Sequence, residues 1–205
     1  MVSRWTDAPG SLDNLLTMGD PPLVMEGVGW DGYEALLALR GECSRPKLAY
    51  LDGAVELMST SRGHEGLKSV IGCLVEAFCF ERDIDFSPYG SWTLKQKGKQ
   101  VGVEPDECYI FGAQPQGKDR PDLAIEVVWT HGGLDKLEAY RRLGIGEVWF
   151  WDSHAISAYV LGRGGYELRA SSACLPALDL ELVCRLSGTE PASAAVRKLR
   201  AMLRG

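Results

Sequence analysis

Histidine is scarce in this chain, and its six cysteines form no C-x-x-C pair, so the compact Cys/His clusters that zinc needs are missing. The three histidines, His64, His131 and His154, stand far apart in sequence. Three of the cysteines, which lie at 43, 73, 79, 108, 174 and 184, fall in apolar runs where free cysteine behaves as a small buried hydrophobe, so reduced structural thiols are expected. No apolar run approaches the roughly 18 residues that cross a membrane. The N-terminus, with Asp7, Asp13 and Pro9-Gly10, lacks the basic-then-apolar layout of a signal peptide, and a cytoplasmic protein without a membrane span is expected. Internal repeats and low-complexity tracts are also absent. Positive charge is in short supply, with 22 Lys and Arg against 28 Asp and Glu for a net charge of −6. That argues against a broad phosphate-neutralising surface, because non-specific affinity for nucleic acid comes largely from lysine and arginine. Local clusters soften the objection: Lys95, Lys97 and Lys99 alternate about Gly98, Lys118 and Arg120 precede an apolar run, and Arg141-Arg142 follow Lys136. Each also reads as a solvated face.

The 205 residues, 45% of them hydrophobic, suffice for one domain with a sizeable core. Residues 1–25 are polar and rich in proline and glycine, and are expected to form an irregular arm. Tyr33, Leu36 and Leu37 predict a short helix from Trp30 to Leu39 that ends at Gly41, and Lys47 to Met58 reads as a hairpin turning at Asp52-Gly53. Ser61 caps a helix reaching about Arg82, with Leu67, Val70, Ile71, Leu74, Val75 and Phe78 at core spacing. Strands are expected near 88–96, 100–111 and 122–129, then a helix from Leu134 to Leu143 closed by Gly144 and a strand at Glu147–Asp152. A hairpin flanks Gly162 to Gly165, Leu178–Leu186 suggests one more strand, and 189–205 carries a basic helix whose Ala195, Leu199 and Leu203 suit docking on the domain.

The residues that carry chemistry lie between Val103 and Lys136. Asp122, Ala124, Glu126 and Val128 share one face of a strand, but at about 3.3 Å per residue Asp122 and Glu126 are roughly 13 Å apart, too far to ligate one ion. Glu126 therefore needs a partner from a neighbouring strand, and the candidate is Asp106, which follows Pro105 at a strand start, edge or bulge. A solvated turn aspartate is the plainer account of an isolated Pro-Asp pair. Asp135-Lys136-Leu137-Glu138 likewise alternates charge as a solvated helix face does. His64, in the first turn of its helix, reads as a hydrogen-bonded packing residue, and Glu56 and Glu65 lie near the same junction.

Pro105-Asp106, nineteen intervening residues and Glu126 resemble the PD-(D/E)XK restriction-endonuclease-like superfamily. The family's usual lysine position is occupied by Val128, and some members supply the lysine from the following helix, which points to Lys136. The order Asp52-Gly53-Ala54-Val55-Glu56-Leu57-Met58, His64, Glu104-Pro105-Asp106, Glu126-Val127-Val128, Asp135 to Tyr140 and Gly146 to Asp152 is similar to a bacterial endonuclease group abundant in cyanobacteria, over roughly residues 25–187. Trp129-Thr130-His131 departs from the serine- and proline-rich turn of many relatives.

The resemblance implies an α/β (α+β) fold: an α-β-β-β-α-β core with a mixed central sheet over residues 26–188, plus an N-terminal hairpin and a C-terminal hairpin and helix. It implies a Mg²⁺-dependent DNA endonuclease, with Mn²⁺ as a substitute ion. Asp106 and Glu126 would hold the ion with the carbonyl of Val127 or Val128, and Lys136 would act at the phosphate; beside them Glu56, His64, Glu104 and Tyr140, one turn on from Lys136, are candidates for support by position, and the family assigns His64 no firm role. DNA is the expected partner, and a homodimer would supply two sites for two cuts. Two other readings stay open: a non-catalytic DNA- or protein-binding module that keeps the fold, favoured by the acidic charge and by Val128, and an RNA or structure-specific nuclease.

Overall fold

The computed structural model describes residues 21–128, 133–152 and 154–205. Residues 1–20 of the expected arm, and Trp129-Thr130-His131, lie outside the described residues.

Two sheets meet along one seam. The smaller begins with β1 (Leu23–Met25), a strand where the composition suggested irregular chain, and continues through β2 (Lys47–Leu51) and β3 (Ala54–Met58). Asp52 and Gly53 turn this hairpin with φ of 46° and 90°, the left-handed pair that a two-residue turn requires. Helix α1 (Trp30–Arg40) packs Trp30 and Tyr33 against Tyr50 of β2, and Leu39 is left in solvent.

Helix α2 (Arg62–Glu81) starts where the Ser61 hydroxyl accepts the His64 amide, and it buries Ile71, Leu74, Val75 and Phe78 along one stripe. The strands expected at 88–96 and 100–111 are each divided between the two sheets. β4 (Phe86–Pro88) and β7 (Glu107–Phe111) belong to the larger sheet, while β5 (Leu94–Gln96) and β6 (Val101–Val103) join the smaller one, giving the order β1-β3-β2-β6-β5. Proline at 105 offers no ladder hydrogen bond, so the chain changes sheets between Val103 and Glu107.

The larger sheet continues through β8 (Leu123–Val128), α3 (Lys136–Leu143) and β9 (Glu147–Asp152), then the hairpin β10 (Ala155–Gly162) and β11 (Gly165–Arg169). Its order is β11-β10-β9-β8-β7-β4, with β8 and β9 parallel across the α3 crossover and the other pairs antiparallel. This is the expected α-β-β-β-α-β core and mixed sheet, formed by α2, β4, β7, β8, α3 and β9.

Leu178–Leu186 was expected as a strand and is instead α4 (Leu180–Ser187). Asp179 caps its first turn by accepting the Leu182 amide at 3.0 Å, and Leu180, Val183, Leu186 and Ser187 are buried at helical spacing, so the apolar run serves one helix face. α5 (Ala192–Arg204) docks Ala195 and Leu199 into the same core, and Arg200 and Arg204 hold Glu81 of α2. α2, α4 and α5 thus cover one face of the larger sheet. α3 fills the space between the other face and the smaller sheet, packing Ala139, Tyr140 and Leu143 against Ala49, Val101, Val103 and Val148. Among the described residues, no helix is long and apolar enough to cross a membrane.

Candidate active site

The Asp106 amide donates to the Ile125 carbonyl at 3.1 Å, beside the Glu107–Ile125 pair that ends the β7–β8 ladder. Asp106, just before β7, and Glu126, on β8, are thus brought to the same end of two antiparallel neighbours, and their side chains are 0% and 1% exposed. Asp106 is held from three sides. Its Oδ2 accepts the Val127 amide at 2.8 Å and lies 3.2 Å from His64 Nε2, while Oδ1 accepts the ammonium of Lys47, the first residue of β2. Lys47 also donates to the Pro105 carbonyl at 2.9 Å. His64 Nε2 is 3.0 Å from the Val127 carbonyl. Since both neighbours of Nε2 are acceptors, that nitrogen carries the hydrogen.

Glu126 is held by α3. Its Oε1 accepts the Tyr140 hydroxyl at 2.5 Å, and its Oε2 lies 3.1 Å from Lys136 Nζ. Lys136 is in the first turn of α3, placed by Asp135, whose carboxylate caps the Glu138 amide at 2.9 Å. Its ammonium is also 3.7 Å from Glu56 of β3. The other Glu56 oxygen accepts the Leu134 amide at 2.8 Å. Gly133 permits this reach: with φ at 132°, a Cβ there would stand 2.2 Å from Glu56 Oε2.

The two central carboxyls are driven in opposite directions. Burial pushes Asp106 up, but the His64 hydrogen bond and the Lys47 charge outweigh it and hold its pKa well below the usual carboxylate range. Burial also raises Glu126, with the Asp106 charge adding to it, against the opposing pull of Lys136 and Tyr140. Burial favours the neutral form of Lys136, yet Glu126, Glu56 and Asp106 together raise its pKa and keep it an ammonium.

Asp106, Glu126 and the Val127 carbonyl are all oxygen donors, the set a hard divalent ion prefers, and Mg²⁺ completes its shell with retained water. Among the described residues, no group of three His, Cys, Asp or Glu side chains forms a preassembled metal cage. A fit therefore rests on the paired carboxylates, the carbonyl and water.

Of the residues the sequence singles out, Asp106, Glu126, Val127, Lys136, Glu56, His64 and Tyr140 converge here. Glu104 does not: it is bound by Arg40, Thr93 and the Leu48 amide at 2.5–2.9 Å and clamps β6 to α1 and β2. Asp122 accepts the Phe111 amide at 2.8 Å and pairs with Lys118, a structural role at the far end of β8. Lys47 is the participant that sequence reasoning missed. A single lysine opening a strand carries no spacing signal toward a carboxylate 59 positions away.

The basic clusters are largely neutralised. Lys95 pairs with Glu34, Lys97 with Asp31, and Arg142 with Asp52 and Glu138. A groove of about 2210 Å³ between α2, the β10–β11 hairpin and α4 carries Arg62, Arg169 and Arg185, but also Glu65, Glu181 and Glu190, so its charges balance.

The sequence pattern of the Uma2 family, described as "Putative restriction endonuclease", matches residues 30–187. A solved structure from Anabaena variabilis, titled as a putative nuclease belonging to DUF820, is similar at 14% identity over 81% of this chain and 96% of that one, with a TM-score of 0.47. No curated protein matches the chain. The family match spans most of the domain, and the chain belongs to the Uma2 family.

Proposed function

We propose that this Uma2-family chain is a divalent-cation-dependent DNA endonuclease that hydrolyses phosphodiester bonds at the Asp106–Glu126 pair. The observation that carries this reading is the pair itself: two buried carboxyls at one end of the β7–β8 ladder, with the Lys136 ammonium 3.1 Å from Glu126. Asp106, Glu126 and the Val127 carbonyl would hold Mg²⁺, or Mn²⁺ in its place. When bound, the ion supplies a polarised phosphate and a more acidic water.

The protein's own groups then divide the work. Asp106 stays ionised and fixed in orientation by the Val127 amide and Lys47. Tyr140 holds Glu126 from the α3 side. Lys136 has 18% of its side chain exposed, so it faces the approach to the site. Because three carboxylates keep it protonated, its role is to offset charge on the phosphate and to donate a hydrogen bond to the attacked group, not to act as a base. A double-strand cut needs two such sites, which a C₂ pair of chains would supply, and sedimentation measures that state.

The test is cleavage of plasmid and of single-stranded DNA with Mg²⁺ or Mn²⁺, beside Asp106→Ala. Cutting by the wild type and none by the variant supports the reading. Equal cutting by both, or none by either, removes it. The paired-off lysines and arginines favour a second reading, a non-catalytic binding module, whose signature is retained DNA or protein binding without cleavage.

A further inference from the structure

We propose that Lys47 is a positioning residue that acts as a resident cation on Asp106, which a divalent ion must displace, so that Lys47 sets the ion affinity of the site. The proposal rests on the metal pair of the nuclease reading, in which Lys47 only orients Asp106, and gives that residue a further part. Asp106 has two oxygens, and Oδ2 is already committed to the Val127 amide and to His64. The room left for a cation is at Oδ1, where Lys47 already occupies one of the two lone-pair directions and sets its own charge beside the other. Lys47 is 6% exposed and faces a fully buried carboxylate, so it is not placed to meet a substrate directly.

An ammonium and a divalent ion on the same oxygen repel strongly in a poorly screened interior. The Pro105 carbonyl, 2.9 Å from Nζ, is a second acceptor where the ammonium can remain once it leaves Oδ1. Until an ion arrives, Lys47 supplies the counter-charge that lets Asp106 stay ionised without exposure to water. Lys136 stands in the same relation to Glu126, but at the rim and with Glu56 as its alternative partner, so the two lysines bracket the pair from opposite ends.

The experiment is a Mn²⁺ titration of the whole chain without nucleic acid, read by electron paramagnetic resonance or calorimetry, for wild type, Lys47→Gln and Lys47→Arg. Circular dichroism checks folding, and Asp106→Asn checks that binding is at this site. Lys47→Gln is expected to bind Mn²⁺ at least about tenfold more tightly than wild type, since a like charge is removed from a poorly screened site. Lys47→Arg, which keeps the charge, is expected to restore wild-type affinity. Equal or weaker binding by Lys47→Gln overturns the proposal.

If the variants do not fold, a crystal structure of the wild type with Mn²⁺ decides the matter: Nζ away from Oδ1 and on the Pro105 carbonyl supports it, and Nζ still on Oδ1 beside a bound ion overturns it. DNA cleavage is scored separately. Cutting by the wild type with unchanged affinity in Lys47→Gln removes the Lys47 proposal alone. Tighter ion binding by Lys47→Gln with no cutting by either protein removes the nuclease reading alone.

Discussion

The two ends of the carboxylate pair are built on different plans. Asp106 is locked by a backbone amide, an imidazole and an ammonium, all buried, and is held ionised. Glu126 is gripped by a phenol and a lysine from one turn of α3, its lysine reaches solvent, and its burial favours the neutral acid. The contrast separates an anchored end, whose charge belongs to the fold, from an adjustable end, whose charge waits for a ligand.

The largest effect is expected at the anchored end. Asp106→Asn leaves Lys47 buried without its counter-charge, which should cost about 3–5 kcal/mol in urea unfolding, together with loss of all cleavage. Glu126→Gln should abolish cleavage as completely but cost less than half as much stability, because the neutral form suits its surroundings. Equal destabilisation by the two substitutions would erase the distinction between the ends.

Lys136→Met should lower the cleavage rate by about 10²–10³ at saturating ion while costing less stability than Asp106→Asn, because Glu126 can take the neutral form once its cation is gone. Gly133→Ala sharpens the comparison from a distance. It forces Glu56 off the Leu134 amide in a backbone that resists a side chain, at a cost of about 1–3 kcal/mol, and should lower activity without changing Asp106.

The smallest effect is in pH dependence, and the two ends carry opposite signs. The pKa of Asp106 is depressed in the fold, so its contribution is present above its unfolded value of about 3.9 and is lost as pH falls through the lower folded value. The pKa of Glu126 is raised, so its contribution is full below about 4.3 and is lost as pH rises through the higher folded value. Asn and Gln mimic the protonated acids, so both variants should track wild type at low pH and diverge as pH rises, Asp106→Asn toward lower and Glu126→Gln toward higher stability relative to wild type. Two curves that diverge from wild type in the same direction would contradict the assignment.

Much of this was legible in the sequence because local rules and tertiary packing agreed. Asp52-Gly53, the Ser61 cap and Gly144 fix the hairpin and helix ends, and Glu147–Asp152 stands where its apolar pattern placed it. The Pro105 irregularity was visible as well, but not its consequence that two expected strands each divide between sheets, because pairing partners depend on contacts distant in sequence. Leu178–Leu186 misled because a short apolar run suits a buried strand and an amphipathic helix alike, and the Asp179 cap decides it. Within the site, Glu126, Lys136 and Tyr140 were readable as one strand followed by one helix face. Lys47 was not, since its meaning lies wholly in a contact between sheets.

The seam between the sheets bears on modularity. A segment beginning at Arg62 would contain every element of the α-β-β-β-α-β core and would look complete by topology. It would still lack Lys47 and Glu56, both supplied by the preceding hairpin, so Asp106 would lose its counter-ion and Lys136 its second partner. The hairpin cannot be exchanged between relatives as an independent accessory. The smallest portable unit of this site includes both sheets, and any chimaera or truncation that divides them at residue 62 divides the site as well.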